Sequence, residues 1–99
     1  MYKVIALRQA KKDAVKIKRS GLKPQVDEII KTVKENPYKP TQNFEKMKGG
    51  FRDSYSRRIN RQHRFVYTIE PNDENLCDKE GAIYKGIVKI VTMWTHYEQ

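Results

Sequence analysis

The sequence predicts an α+β domain: two N-terminal helices packed on one face of an antiparallel β-sheet, in the order β-α-α-β-β-β. Apolar residues recur at helical spacing between residues 7 and 33, whereas aromatic and β-branched residues cluster in short runs between 55 and 95. The helical segments come together first and most strand segments follow, which is the ordering of an α+β fold rather than of alternating parallel units. With 99 residues the chain makes one domain, 1–99, with a thin core, since only 37% of it is apolar.

Each element follows from local chemistry. Tyr2 to Ala6 reads as a short strand. Leu7, Ala10, Ala14 and Ile17 then form a helical stripe, with Arg8, Lys11, Lys12, Lys16, Lys18 and Arg19 on the other faces. Gly21 can adopt the left-handed conformation that ends a helix. A second helix opens near Pro24, a residue suited to a first turn, and buries Val26, Ile29, Ile30 and Val33. Asp27 and Glu28 near its start and Lys31 and Lys34 near its end suit the helix dipole, and Asn36-Pro37 ends it. Tyr55 to Asn60 and Arg64 to Ile69 form a hairpin around Asn60-Arg61-Gln62. Gly86 to Thr95 is apolar at both parities, as expected of a strand covered over most of its length. Pro71 to Lys85 is a long surface connection or a small extra hairpin. The sheet face away from the helices is left for arginines.

Charge narrows the function. The net charge is +9, but residues 70–80 alone carry −4, so the remainder carries +13. Such an excess points to a polyanion, because Lys and Arg gain affinity by displacing counterions from phosphates. Cys77 is alone, which excludes an intrachain disulfide and fits a reducing cytoplasm. No membrane span, signal peptide, repeat, Gly-rich phosphate loop or metal-ligand spacing is present, and no cofactor is implied.

Two stretches carry chemistry. Glu45 to Tyr67 opens on the Glu45 carboxylate, followed by Lys46, Lys48, Arg52, Arg57, Arg58, Arg61 and Arg64, with aromatic residues between them. His96-Tyr97 adds an imidazole and a phenol. A base, an acid and cations are the minimum for in-line attack of a ribose 2′-hydroxyl on its own phosphate. Glu45, set among cations, is the candidate base; a surface salt bridge is the alternative. His96 titrates in the range needed to protonate a leaving oxygen, and His63 competes for that role. Arg58 and Arg64 flank the turn, and would pair on a phosphate if they share a face. Arg57 and Tyr55 are candidate RNA contacts beside Lys11 and Lys12, which would bind phosphate through charge. For Phe65 and Trp94 core packing is the expected role.

The run SRRI at Ser56–Ile59, followed by HR-F-VY at His63–Tyr67, resembles the signature of the YoeB/Txe toxins, a branch of the RelE superfamily of ribosome-dependent mRNA interferases. The ending His96-Tyr97 is similar to that family's C-terminal pair. Counting back, Glu45 falls where that family's base lies and Lys48 at a basic position, so the central match extends over more than twenty positions, whereas the N-terminal half matches only in its strand-helix-helix order. The resemblance implies a RelE-like fold and a toxin that cleaves mRNA in the ribosomal A site without a metal, leaving a 2′,3′-cyclic phosphate and a 5′-hydroxyl. It makes Glu45 the base, His96 the acid and Arg64 the stabiliser of the phosphorane, assisted by Lys48, Arg58 and Tyr97. It also implies a cognate antitoxin, operator DNA bound only by the toxin–antitoxin complex, and a possible homodimer.

The chain departs from the pattern in three places. Tyr55 replaces a usual Trp, the 71–85 connection is longer, and Glu98-Gln99 follow the terminal tyrosine. A ParE-like gyrase-inhibiting toxin or a non-enzymatic RNA- or ribosome-binding protein are the competing functions. Glu45 together with His96 argues against the first, and a high positive charge alone would satisfy the second.

Overall fold

In the computed structural model, residues 1–48 and 53–94 are described. The elements are β1 (Lys3–Ala6), α1 (Arg8–Arg19), α2 (Lys23–Glu35), β2 (Glu45–Lys46), β3 (Ser54–Arg58), β4 (Arg64–Glu70) and β5 (Ile87–Thr92). They form the α+β architecture expected, with one five-stranded sheet in the order β1-β5-β4-β3-β2. Two features go beyond the expected pattern. β2 is an added edge strand of two residues, paired antiparallel with β3. β1 lies parallel to β5, so the sheet is mixed, while β2-β3, β3-β4 and β4-β5 are antiparallel.

The helices cover one face through the residues their periodicity selects. α1 buries Ala10, Asp13 and Ile17; α2 buries Val26, Ile29 and Val33. These meet Phe65 and Tyr67 of β4 and Val88 and Ile90 of β5 in one core. Gly21 has φ +72°, and the amides of Gly21 and Leu22 donate to Lys18 and Ile17 carbonyls, which turns the chain sharply from α1 into α2. Pro24 stands in the first turn of α2.

The end of β5 is anchored to α1 by a buried polar contact. The register against β4 shifts between Val66 and Tyr67, whose partners are Thr92 and Ile90, so Val91 is an extra residue on β5. Beyond this bulge the fully buried Asp13 carboxylate accepts hydrogen bonds from the Thr92 hydroxyl (2.7 Å) and the Met93 amide (3.0 Å).

Residues 71–85 form the small extra hairpin. Cys77 bridges to Ile83, and Asn72 donates to the Leu76 and Tyr84 carbonyls while accepting from the Leu76 amide. Among the described residues no helix is long and apolar enough to cross a membrane.

Candidate active site

Strand register decides which charged side chains meet. In β3 and β4 the cross-strand partners are Arg58 with Arg64, Arg57 with Phe65, Ser56 with Val66 and Tyr55 with Tyr67. In β2 Glu45 faces Ser56 and Lys46 faces Tyr55. Because side chains alternate along a strand, Glu45, Ser56, Arg58 and Arg64 share one face, and Tyr55, Arg57, Phe65 and Tyr67 share the other. The second set lies on the helix-covered side.

On the open face Arg64 organises the site. Its Nε donates to Ser56 Oγ at 3.0 Å, and its Nη2 donates to the Asn43 carbonyl at 3.0 Å and to Glu45 Oε1 at 3.2 Å. Ser56 is fully buried, so its hydroxyl fixes the guanidinium from beneath. Among the described residues these bonds engage Nε and Nη2 and leave Nη1 out. The Glu45 side chain is 59% exposed and that of Arg64 22%. A pair so exposed adds little stability; what it supplies is a carboxylate and a cation held at contact distance on an accessible surface. Ser56 and Asn43 were not singled out from sequence, although period-two counting back from Arg58 reaches Ser56.

Behind this face the segment from Pro37 to Phe44 is clamped. Gln42 and Asn43 both have positive φ, 57° and 55°, a conformation costing about 1 kcal/mol or more per non-glycine residue. Their carbonyls are taken up by the site strands: that of Gln42 accepts from the Arg58 amide at 2.8 Å and that of Asn43 from Arg64. This turn delivers Glu45 to β2.

One expected RNA contact is overturned by burial, and a second is drawn into aromatic packing. Arg57 is fully buried, and its guanidinium is bonded to the Tyr67 hydroxyl (3.0 Å) and the Thr41 (2.9 Å) and Pro37 (3.0 Å) carbonyls, over the Phe44 ring. It cannot reach RNA. Tyr55 packs among Phe44, Tyr38 and Tyr67, with ring centroids 5.5, 5.9 and 6.0 Å away, on the side opposite Glu45. Its expected base-stacking role gives way to aromatic packing. Tyr67 donates to the Pro37 carbonyl at 2.6 Å, and burial pushes its phenol up to about 12 against the opposing pull of Arg57.

The remaining candidates are distributed. Arg58 is exposed beside Arg64, and Lys48 is exposed two residues beyond β2. Lys11 and Lys12 are exposed on α1, in the layer away from Glu45. His63 is only 3% exposed and stacks on Trp94 with centroids 3.9 Å apart, which removes it as a competitor for the acid role. Phe65 is core, as expected. His96 and Tyr97 lie outside the described residues. Among the described residues no three His, Cys, Asp or Glu side chains are grouped to hold a metal ion.

Comparison with known proteins gives the arrangement a context. Residues 12–97 match the family described as the YoeB-like toxin of bacterial type II toxin-antitoxin system. Among solved structures, the YoeB/ParE toxin from Agrobacterium tumefaciens is similar with a TM-score of 0.76 at 21% identity, covering 96% of this chain and 99% of that one. The chain matched in the YoeB-YefM complex from Staphylococcus aureus gives 0.69 at 25% identity, covering 98% and 99%. The YoeB dimer from Staphylococcus aureus gives 0.70 at 24% identity, covering 97% and 98%. No curated protein matches the sequence.

Proposed function

The chain belongs to the YoeB-like toxins of bacterial type II toxin-antitoxin systems, and on that premise we propose that it is a ribosome-dependent endoribonuclease that cleaves mRNA in the A site with Glu45 as base, Arg64 as phosphate stabiliser and His96 as acid. The observation that carries this reading is the contact of Glu45 Oε1 with Arg64 Nη2 at 3.2 Å on an open sheet face, with Arg58 the cross-strand neighbour of Arg64.

The chemistry follows from that geometry. Glu45 removes the proton of a ribose 2′-hydroxyl, and the oxygen so freed bonds to the adjacent phosphorus. Negative charge grows on the non-bridging oxygens, where Arg64 and Arg58 sit, so their attraction is strongest in the transition state. The bond to the 5′-oxygen breaks as His96 donates a proton to it. A 2′,3′-cyclic phosphate and a 5′-hydroxyl result. Of the two histidines in the chain, His63 is stacked under Trp94, which supports His96 for the last transfer. Lys48 supplies further positive charge and Tyr97 positions the nucleotide.

Lys11 and Lys12 lie across the molecule from this site, so they act on rRNA rather than on the scissile phosphate. A YefM-like antitoxin neutralises the toxin, in keeping with the YoeB-YefM complex among its structural relatives, and the relative solved as a dimer supports self-association. The test is incubation with ribosomes carrying a defined mRNA, followed by mapping of the new ends. Cleavage within the A-site codon with cyclic phosphate termini is expected. Intact mRNA with active ribosomes, or cleavage that persists in Glu45→Ala, overturns the assignment.

A further inference from the structure

Arg57 is the largest fully buried side chain among those described, and the acceptors around it are neutral. Its Nη2 donates to the Pro37 carbonyl at 3.0 Å, and its Nη1 to the Thr41 carbonyl at 2.9 Å and to Gln42 Oε1 at 3.3 Å. Nε donates to the Tyr67 hydroxyl, which itself donates to Pro37. A guanidinium removed from water and surrounded by carbonyls is an expensive way to fill a core, and a leucine or methionine would pack there at lower cost. What the arginine does that an apolar residue cannot is bind three separate points of one loop, at residues 37, 41 and 42.

That loop leads directly into the site. Gln42 and Asn43 are held at positive φ, the Asn43 carbonyl meets Arg64, the Gln42 carbonyl meets the Arg58 amide, and Glu45 follows. Arg57 and Arg58 are adjacent in sequence and face opposite sides of the sheet, so the same loop is gripped from behind by one and held in front beside the other. We propose that Arg57 is a positioning residue for cleavage: it fixes the 37–44 loop and through it the placement of Glu45 against Arg64, without touching RNA.

This inference rests on Glu45 being the base, and a double-mutant cycle separates the two. Single-turnover cleavage of ribosome-bound mRNA is measured for Arg57→Lys, Glu45→Ala and the double variant, with thermal melting as a check on folding. Lysine keeps the charge but cannot reach three acceptors with a planar fork. Arg57→Lys is expected to lower kcat by about 10- to 100-fold with KM within about two-fold, and to change the rate little once Glu45 is alanine. A residue that only stabilises the fold would reduce the active fraction equally in both backgrounds. Gln42→Ala, which removes the Oε1 acceptor and leaves Arg57 its two loop carbonyls, is the second variant; a smaller loss of kcat with the same dependence on Glu45 is expected. It decides the matter if Arg57→Lys does not fold, and the split between kcat and KM decides it if the Glu45→Ala background is too slow to time. Equal losses with and without Glu45, or a loss confined to KM, overturn the proposal. Full activity of Glu45→Ala instead overturns the assignment of the base.

Discussion

Arg58 and Arg64 stand opposite each other as cross-strand partners, so two guanidinium groups are opposed on one face of a two-stranded pair. Like charges in that position destabilise a sheet by about 0.2–1 kcal/mol. Replacing Arg58 with threonine, a good strand residue, should therefore raise stability by a similar amount while slowing cleavage. Urea titration and single-turnover rates of Arg58→Thr check both halves; a stability loss would mean that Arg58 makes a structural contact outweighing the repulsion.

Glu45→Ala and His96→Ala should each reduce cleavage by about 10²–10⁴-fold, the usual contribution of a general base or acid. Glu45 is an exposed residue on a two-residue edge strand, so its removal should leave the melting temperature near that of the parent. Measurement of rate and melting curve on the same preparation separates lost chemistry from lost fold.

Arg64→Ala should slow the chemical step more than it weakens ribosome binding. Removing Lys11 and Lys12 should do the reverse, lowering affinity and its salt dependence and sparing the rate at saturation. Single-turnover kinetics across ribosome concentrations distinguish the two. A pure affinity loss for Arg64→Ala would reassign it to docking.

Much of this site is legible in the sequence by counting in twos. Arg58 and Arg64 flank a turn, and pairing them puts Ser56 and Glu45 on the same face once β2 is recognised. β2 itself is not legible there, because two residues carry too little periodicity to mark a strand. Nor is the fate of Arg57, since charge argues for exposure and only the return of the 37–44 loop supplies the carbonyls that permit its burial. The parallel partner of β1 is equally hidden, because strand pairing between distant segments leaves no local mark. The helices are more legible, since their apolar stripes are continuous and Gly21 and Pro24 mark the boundary between them.

Burial of the Tyr67 phenol gives stability a pH dependence above neutrality. Its value in the folded protein, about 12, is above the ordinary 10 of the unfolded chain, so the folded state keeps a proton that the unfolded state has lost between those limits. The contribution is fully present below pH 10 and disappears as pH rises towards 12. Urea midpoints between pH 9 and 12 should fall more steeply for the parent than for Tyr67→Phe. Parallel curves would place the sensitivity elsewhere.

Asp13→Ala should destabilise the fold by about 2 kcal/mol, because it leaves the buried Met93 amide without its acceptor and the Thr92 hydroxyl with the Trp94 carbonyl at 3.2 Å. Urea unfolding gives the value directly. A change below about 1 kcal/mol would indicate that water replaces the carboxylate.

The acidic hairpin at residues 71–85 joins the end of β4 remote from Arg64, some ~20 Å along that strand. Replacing it with a short Gly-containing turn should leave the cleavage rate on bound mRNA unchanged. Loss of cleavage in a folded variant would bring this hairpin into the active site.

The pairing of β1 with β5 also bears on synthesis. Lys3 takes Ile87 as its register partner, so the first strand has no neighbouring strand until residue 87 has been translated. Until then the apolar stripes of α1 and α2 lack the floor that Val88 and Ile90 provide. Pairing over such sequence separation is slow to nucleate and gains nothing until both ends are present. A nascent chain stalled before Ile87 can form the β3-β4 hairpin with Arg64 on it, but without β5 beside β4. The ribosome that makes this protein must therefore complete β5 before the first strand has a place in the sheet.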